Sequence, residues 1–298
     1  MKIYTVIVTY NAMRWLRRCL ECLKASTVDT STIIVDNKST DGTLSFVREN
    51  YPDIMVFAQE ENLGFGQGNN VGIRYAMEQG ADYVLLLNQD AYLFPDTLRL
   101  LCDASDGVSL LSPVQMNGDG SALDKMFRFL LSESETSLAD DVLTGKGMCD
   151  TYEMRRVSAA CWLMPASVIR SVGGFNPLFF HYGEDDNYLC RLHYHGIKVF
   201  VVTAAKMNHD RGEHGNVNVF NAGKLHRDIL KVACDINMGL PQRLKCYARR
   251  LYECYAWDLR DGRYVPFAWL GQMWWLLTHS SQVSKSREKE KAKGMLWL

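Results

Sequence analysis

Five apolar residues, Tyr83-Val84-Leu85-Leu86-Leu87, run without a break into Asn88-Gln89-Asp90, with Pro95 just downstream. A short unbroken apolar run bounded by turn residues is the pattern of a strand covered on both faces, as in a parallel sheet. Polar residues at the carboxyl end of such a strand stand where open α/β sheets bind their ligands. Asn88 and Asp90 are two apart, so extended backbone would point both to one side. An oxygen-rich strand end of this kind suits a hard cation, a diphosphate, or both. It also suits a helix cap, because Asp90 and Asp96 both stand near the next helix start.

The chain before this run alternates strand and helix signals. Strands are expected at Ile3–Val8, Thr32–Val35 and Ile54–Phe57. The helices between them are expected at the segment bearing Trp15, Leu16, Cys19, Leu20 and Leu23, at Thr43–Asn50 and at Gly66–Gln79. That alternation implies right-handed βαβ units and a mostly parallel sheet. From about 106 to 150 the rhythm is lost in a stretch rich in Ser, Asp and Gly, which reads as a long irregular insertion. Order returns at Ser158–Pro165, followed by a helix through Val172, a helix from Glu184 to about His195 and a short strand at Val199–Val202. From about Asn221 the chain reads as all-helical.

The formal net charge of -1 on 298 residues gives no general attraction to nucleic acid, and no nucleic-acid partner is expected. Nine cysteines without framework spacing favour reduced thiols and a cytoplasmic setting. Cys19 and Cys22 fall inside an expected helix, where the spacing places two small apolar residues on one face. The N-terminus carries no secretory pattern, and no apolar run reaches the roughly 20 residues that span a bilayer.

Polar clusters fall at the ends of four successive strands: Thr9-Tyr10-Asn11, Asp36-Asn37, Asn62-x-Gly64 and Asn88-Gln89-Asp90. Four on one edge describe a ligand crevice. Asp36 is able to accept from the imide N–H of uracil or thymine, and equally to form the turn Asp36–Gly42. The glycines of Asn62–Asn70 follow the third strand and lack the dinucleotide spacing, which argues against a Rossmann dehydrogenase. Further on, Glu184-Asp185-Asp186 follow the aromatic loop Phe179–Tyr182. They suit a helix N-terminus and, in a pocket, a general base. His209 follows the last strand signal. His193 and His195, two apart on a helix, do not form a ligand pair.

The ordered set Val8-Thr9-Tyr10-Asn11, Val35-Asp36-Asn37-x-Ser39-x-Asp41-Gly42, Asn62-x-Gly64-Phe65, Leu87-Asn88-Gln89-Asp90, Gly173-Gly174-Phe175 and Gly183-Glu184-Asp185 resembles the inverting family 2 glycosyltransferases of GT-A fold, nearest their bacterial rhamnosyltransferase branch. The resemblance covers about residues 3–212. It implies an α/β fold with a Rossmann-like, mostly parallel sheet flanked by helices and a C-terminal helical extension. The catalytic domain would span 1–220, divided into a nucleotide-binding half (1–105) and an acceptor half (106–220), with the extension at 221–298.

By the same resemblance Thr9, Tyr10, Asn11, Asp36, Asn62, Gly64, Asn69, Asn88 and Gln89 would line the nucleotide pocket. Asp90, joined by His209, would hold a divalent metal, Mg²⁺ or Mn²⁺, on the diphosphate. Asp185 would be the general base, with Glu184 as its partner. The implied partners are a dTDP- or UDP-sugar donor and a saccharide or lipid-linked glycan acceptor, in polysaccharide assembly. Asn88 departs from the family pattern, replacing a carboxylate by an amide. That substitution leaves open a catalytically silent nucleotide-sugar binding protein. A nucleotidyltransferase would need a Gly-rich basic loop after the first strand, which Thr9–Arg14 lacks.

Beyond this region, Arg243, Lys245, Arg249, Arg250, Arg260 and Arg263 accompany the Trp-rich stretch Tyr264–Leu277. Residues 240–280 suit a membrane interface on the inner face of the cell membrane, and equally suit packing on the catalytic domain or a homodimer contact. The residues that choose the donor sugar are expected within 106–162.

Overall fold

The computed structural model describes residues 1–211, 222–261 and 268–298. The first part alternates as expected: β1 (Ile3–Thr9), α1 (Leu16–Lys24), β2 (Ser31–Asp36), α2 (Thr43–Asn50), β3 (Met55–Ala58), α3 (Gly64–Glu78) and β4 (Tyr83–Leu87). Next come β5 (Ala91–Leu93), α4 (Thr97–Asp103), β6 (Leu110–Asn117), α5 (Lys125–Ser132), α6 (Leu138–Leu143) and β7 (Thr151–Glu153). Then come β8 (Cys161–Pro165), α7 (Ala166–Val172), α8 (Glu184–Tyr194) and β9 (Val199–His209). Three helices follow: α9 (Ala222–Cys234), α10 (Leu240–Asp261) and α11 (Ala268–Lys291).

The strands form one sheet in the order β3-β2-β1-β4-β8-β6-β9-β5, with β7 paired to β9. Alternate residues of each central strand enter two separate cores. Tyr4, Val6, Ile33, Val35, Val84 and Leu86 pack on one face with Ile73 of α3 and Tyr188 of α8. Ile3, Ile7, Ile34, Leu85 and Leu87 pack on the other with Leu16 and Leu20 of α1, Val47 of α2 and Leu98 of α4. Burial on both faces is why these strands read as unbroken apolar runs. Close approach is part of the design: a Cβ on Gly72 of α3 would stand 2.4 Å from Val6 Cγ1.

The parallel arrangement holds for β3-β2-β1-β4. Beyond β4 the sheet is mixed, since β8 is antiparallel to both β4 and β6 while β6 and β9 are parallel. From β1 the chain steps outward to β2 and β3, then returns to the other side of β1 as β4. The crevice between the carboxyl ends of β1 and β4 is therefore a topological switch point, the usual ligand site of such sheets.

The irregular insertion expected at 106–150 is instead largely ordered. It contains β6, α5 and α6. Ser112, Pro113 and Gln115 hide β6 from a hydrophobicity reading. Pro113 sits at a register shift, where a strand tolerates a missing N–H, and the buried Gln115 donates to the Ser158 carbonyl at 2.9 Å. The start of α5 is fixed by Asp124, which accepts from the backbone N–H of Met126 and Phe127. The last strand is also longer than Val199–Val202. It leaves its register with β6 after Val202, resumes at Lys206 and continues to His209. In that continuation it pairs with β5, setting Ala91 opposite His209.

Helix α11 returns to pack on α8 and the loop before it. Glu290, fully buried, accepts from Asn176 at 2.7 Å and Asn187 at 2.9 Å, and lies 3.9 Å from the buried Arg191 guanidinium. The chain end then crosses the Gly173-Gly174 turn, where Gly174 N–H donates to the Leu296 carbonyl at 2.8 Å.

Candidate active site

At the switch point the ends of β1 and β2 are bound side to side. Thr9 lies opposite Asp36 in the ladder and its hydroxyl donates to Asp36 Oδ1 at 2.8 Å. The Ser39 hydroxyl donates to the same oxygen at 2.6 Å, and the Ser39 N–H to Oδ2 at 3.0 Å. Asp36 thus shapes its own turn, and it does so while buried. Oδ2 keeps acceptor capacity for a further donor. Asn11 adopts φ 50°, its N–H donating to Ser39 Oγ at 2.9 Å and its Oδ1 accepting from Thr40 N–H at 2.8 Å. The exposed Tyr10 is held through its backbone: its N–H donates to Gln89 Oε1 at 2.8 Å, and Gln89 Nε2 donates to its carbonyl at 3.3 Å. Gln89 therefore ties the end of β4 to the end of β1.

Asn62 Oδ1 accepts from Gly64 N–H at 2.9 Å, and the Gly64 carbonyl accepts from Asn37 Nδ2 at 3.1 Å. Gly64 has φ +76°, and a Cβ there would lie 1.9 Å from the Phe180 carbonyl oxygen. Glycine is required both by the backbone angle and by the aromatic loop crossing it. Asn69 stands apart from this edge. It is buried in α3 and donates to the Phe65 carbonyl one turn back, at 2.9 Å.

The end of β4 does not cap a helix, because β5 intervenes before α4 starts. Leu87 is followed by a turn closed by Ala91 N–H to the Asn88 carbonyl at 3.0 Å. That turn and the β5–β9 pairing bring three side chains together. Asp90 Oδ1 and Asn88 Nδ2 each lie 3.4 Å from Nε2 of the buried His209. Asn88 Oδ1 and His209 Nδ1 are buried with no hydrogen-bond partner among the described residues. A carboxylate oxygen, an imidazole nitrogen and an unsatisfied amide oxygen form a donor set that fits a divalent cation. Two ligands of one octahedral ion with bonds of about 2.1 Å lie roughly 3 Å apart, close to the observed pair. Among the described residues no group of three or more His, Cys, Asp and Glu side chains comes together as a complete metal cage. Such an ion would take its remaining ligands from a diphosphate and water.

The second half of the site is the N-terminus of α8, opened by Gly183 at φ 98°. Glu184 is 4% exposed, and Oε2 has no partner among the described residues. Burial first, and then Asp185, push its carboxyl up to about 8. Asp185 is half-buried and accepts the Asp186 N–H at 2.8 Å. Burial and then Asp186 raise it to about 6, against the pull of Lys231 and Arg156. Asp186 is itself engaged by Arg156, whose Nε donates at 2.8 Å, and by Lys231 of α9 at 3.2 Å. Neither cation carries a sequence signal, as each comes from a segment remote from α8. His193 and His195 bond the carbonyls of Arg155 and Glu290, so neither belongs to the site. Cys19 is buried in α1, its thiol against the Asn88 carbonyl at 3.6 Å.

A mixed sheet flanked by helices, with its polar edge at the switch point, is the architecture of GT-A glycosyltransferases. Residues 4–124 match Glycosyl transferase family 2, and similarity to rhamnosyltransferases supports a place in the rhamnosyltransferase-like branch of that family. The chain is 25% identical over 259 residues to N-acetylglucosaminyl-diphospho-decaprenol L-rhamnosyltransferase of Mycobacterium tuberculosis, covering 78% of this chain and 84% of that one. It is 24% identical to the dTDP-rhamnosyl transferase RfbF of Shigella flexneri over 71% and 70% of the two chains. Among solved structures, GalNAc-T7 with UDP, GalNAc and Mn²⁺ shares the fold at a TM-score of 0.65 and 14% identity. That match covers all of this chain and 55% of GalNAc-T7.

Proposed function

We propose that this glycosyltransferase moves rhamnose from dTDP-rhamnose to a hydroxyl of a saccharide carried on a lipid diphosphate, inverting the anomeric centre, in surface polysaccharide synthesis. The observation that carries the reading is the meeting of Asp90, Asn88 and His209 at the switch-point edge. Rhamnosyl transfer appears in the names of both relatives above, with dTDP in one and a diphospho-decaprenol in the other.

In this reading Asp36, Thr9, Tyr10 and Asn11 seat the base and deoxyribose, and Asn62 and Gly64 support the same pocket. Asp90 and His209 would hold a divalent cation, Mg²⁺ or Mn²⁺. When bound it supplies Lewis-acid relief of the charge growing on the departing diphosphate. Asp185 accepts the proton of the acceptor hydroxyl as that oxygen bonds the anomeric carbon. The bond to the nucleoside diphosphate breaks on the opposite side, and its electron pair leaves with the diphosphate. Glu184, protonated near neutral pH, adds no second negative charge beside the base.

The enzyme works at the inner face of the cell membrane. No helix among the described residues is long and apolar enough to cross a membrane, so contact would be peripheral. Leu270, Met273, Trp274 and Leu277 repeat at helical spacing along α11 and are all exposed. An outward apolar stripe of this kind suits the headgroup boundary of a bilayer.

The test is to incubate the full chain with dTDP-rhamnose or UDP-sugars, with and without Mn²⁺, and with an N-acetylglucosaminyl-diphospho-polyprenol. Metal-dependent thermal stabilisation by dTDP-rhamnose, and transfer with inverted configuration by NMR, are expected. Turnover of a UDP-sugar alone would reassign the donor. Binding without turnover of any donor would favour a silent binding protein.

A further inference from the structure

The three carboxylates that open α8 are treated differently by their surroundings. Both oxygens of Asp186 are held by cations from separate elements. Arg156, between β7 and β8, bonds Oδ1 through two nitrogens, with Nε at 2.8 Å. Lys231 of α9 reaches Oδ2 at 3.2 Å and is itself steadied by Asp228 at 3.0 Å. Glu184 turns inward and is nearly fully buried. Among the described residues Asp185 has no cation in ion-pair contact, and its one hydrogen bond is the backbone N–H of Asp186.

We propose that Lys231 and Arg156 are positioning residues: they pin and neutralise Asp186, leaving Asp185 as the one carboxylate of the three able to take a proton. The C-terminal helix α9 is then a component of the active site and not an appendage. This rests on the reading of Asp185 as the base. The charged groups acting on Asp185 are Asp186, Glu184, Lys231 and Arg156; behind them Cys190 faces Asp186 and Arg156, Arg227 faces Glu184 and His181, and Asp228 pairs with Lys231. Asp186 pushes the Asp185 carboxyl up, and Lys231 and Arg156 pull it down. Loss of the Lys231 ammonium leaves Asp186 less compensated, so Asp185 must rise further.

The experiment is a ¹³C NMR titration of the full chain labelled at aspartate carboxyls, with the Asp185 signal assigned from Asp185→Asn. In Lys231→Met the Asp185 midpoint moves upward by roughly half a pH unit or more, and Lys231→Arg restores it. Arg156→Gln, a change outside α9, moves it in the same direction and serves if Lys231→Met does not fold. The acid limb of kcat/KM with dTDP-rhamnose shifts in parallel. An unmoved midpoint in both variants, or an equal displacement in Lys231→Arg and Lys231→Met, overturns the proposal. The base reading fails separately: Asp185→Asn that still turns over sinks it whatever the titration gives.

Discussion

At Asp185 the carboxyl is raised to about 6, first by burial and then by Asp186. It is therefore ionised near neutral pH yet basic enough to accept a proton in the transition state. Because the base must be deprotonated, kcat/KM is expected to fall as the pH drops through about 6. Asp185→Asn is expected to lower kcat by about 10²–10⁴ and to leave donor binding intact. Steady-state kinetics and nucleotide titration check both, and unchanged turnover would remove Asp185 from the role. At this scale the sequence carried part of the site. The strand-end clusters exposed Thr9, Asp36 and Asp90 through their position after apolar runs. His209 joined them only through family resemblance, since a lone histidine after a short strand carries no spacing signal. Arg156 and Lys231 left no trace, because a cation that answers a carboxylate from another segment has no periodic mark.

At the scale of elements, β1, β2 and β4 were legible because both faces of each are buried, which forces uninterrupted apolar runs. β6 was not, because its Ser112, Pro113 and Gln115 are accommodated by a register shift and a side-chain bond to Ser158. The excursion of β9 between Val202 and Lys206 likewise concealed the stretch that carries His209 to Asp90. In α11 the periodicity splits in two. Trp275 and Leu276 pack inward toward Leu230 and Ile229 of α9, while Trp274 and Leu277 are 70% and 67% exposed. The part of the basic and aromatic region at 262–267, including Arg263, lies outside the described residues. Trp274→Ser with Leu277→Ser is expected to reduce co-sedimentation with anionic lipid vesicles several-fold, with thermal stability little changed. Equal vesicle binding by the variant would contradict membrane contact through this stripe.

For the whole molecule, the candidate site residues are spread more widely than the stretch matching the family. That match ends at 124, whereas Asp185, His209 and the Lys231 that answers Asp186 lie beyond it. The buried Glu290 binds α11 to Asn176, Asn187 and Arg191, and the chain end covers the turn that precedes the aromatic loop. Removing one partner of such a buried pair costs about 3–5 kcal/mol in general, because the other charge is left uncompensated. The C-terminal helices thus share the folding of the site they border. The central claim is that Asp90, with His209 and despite the amide at Asn88, holds a divalent cation against a nucleoside diphosphate. The direct measurement is Mn²⁺ binding to the full chain in the presence of dTDP, followed by electron paramagnetic resonance. One nucleotide-dependent Mn²⁺ site is expected, weakened at least about tenfold in Asp90→Asn and in His209→Ala. Binding by Asp90→Asn as tight as by the unaltered chain would contradict the account.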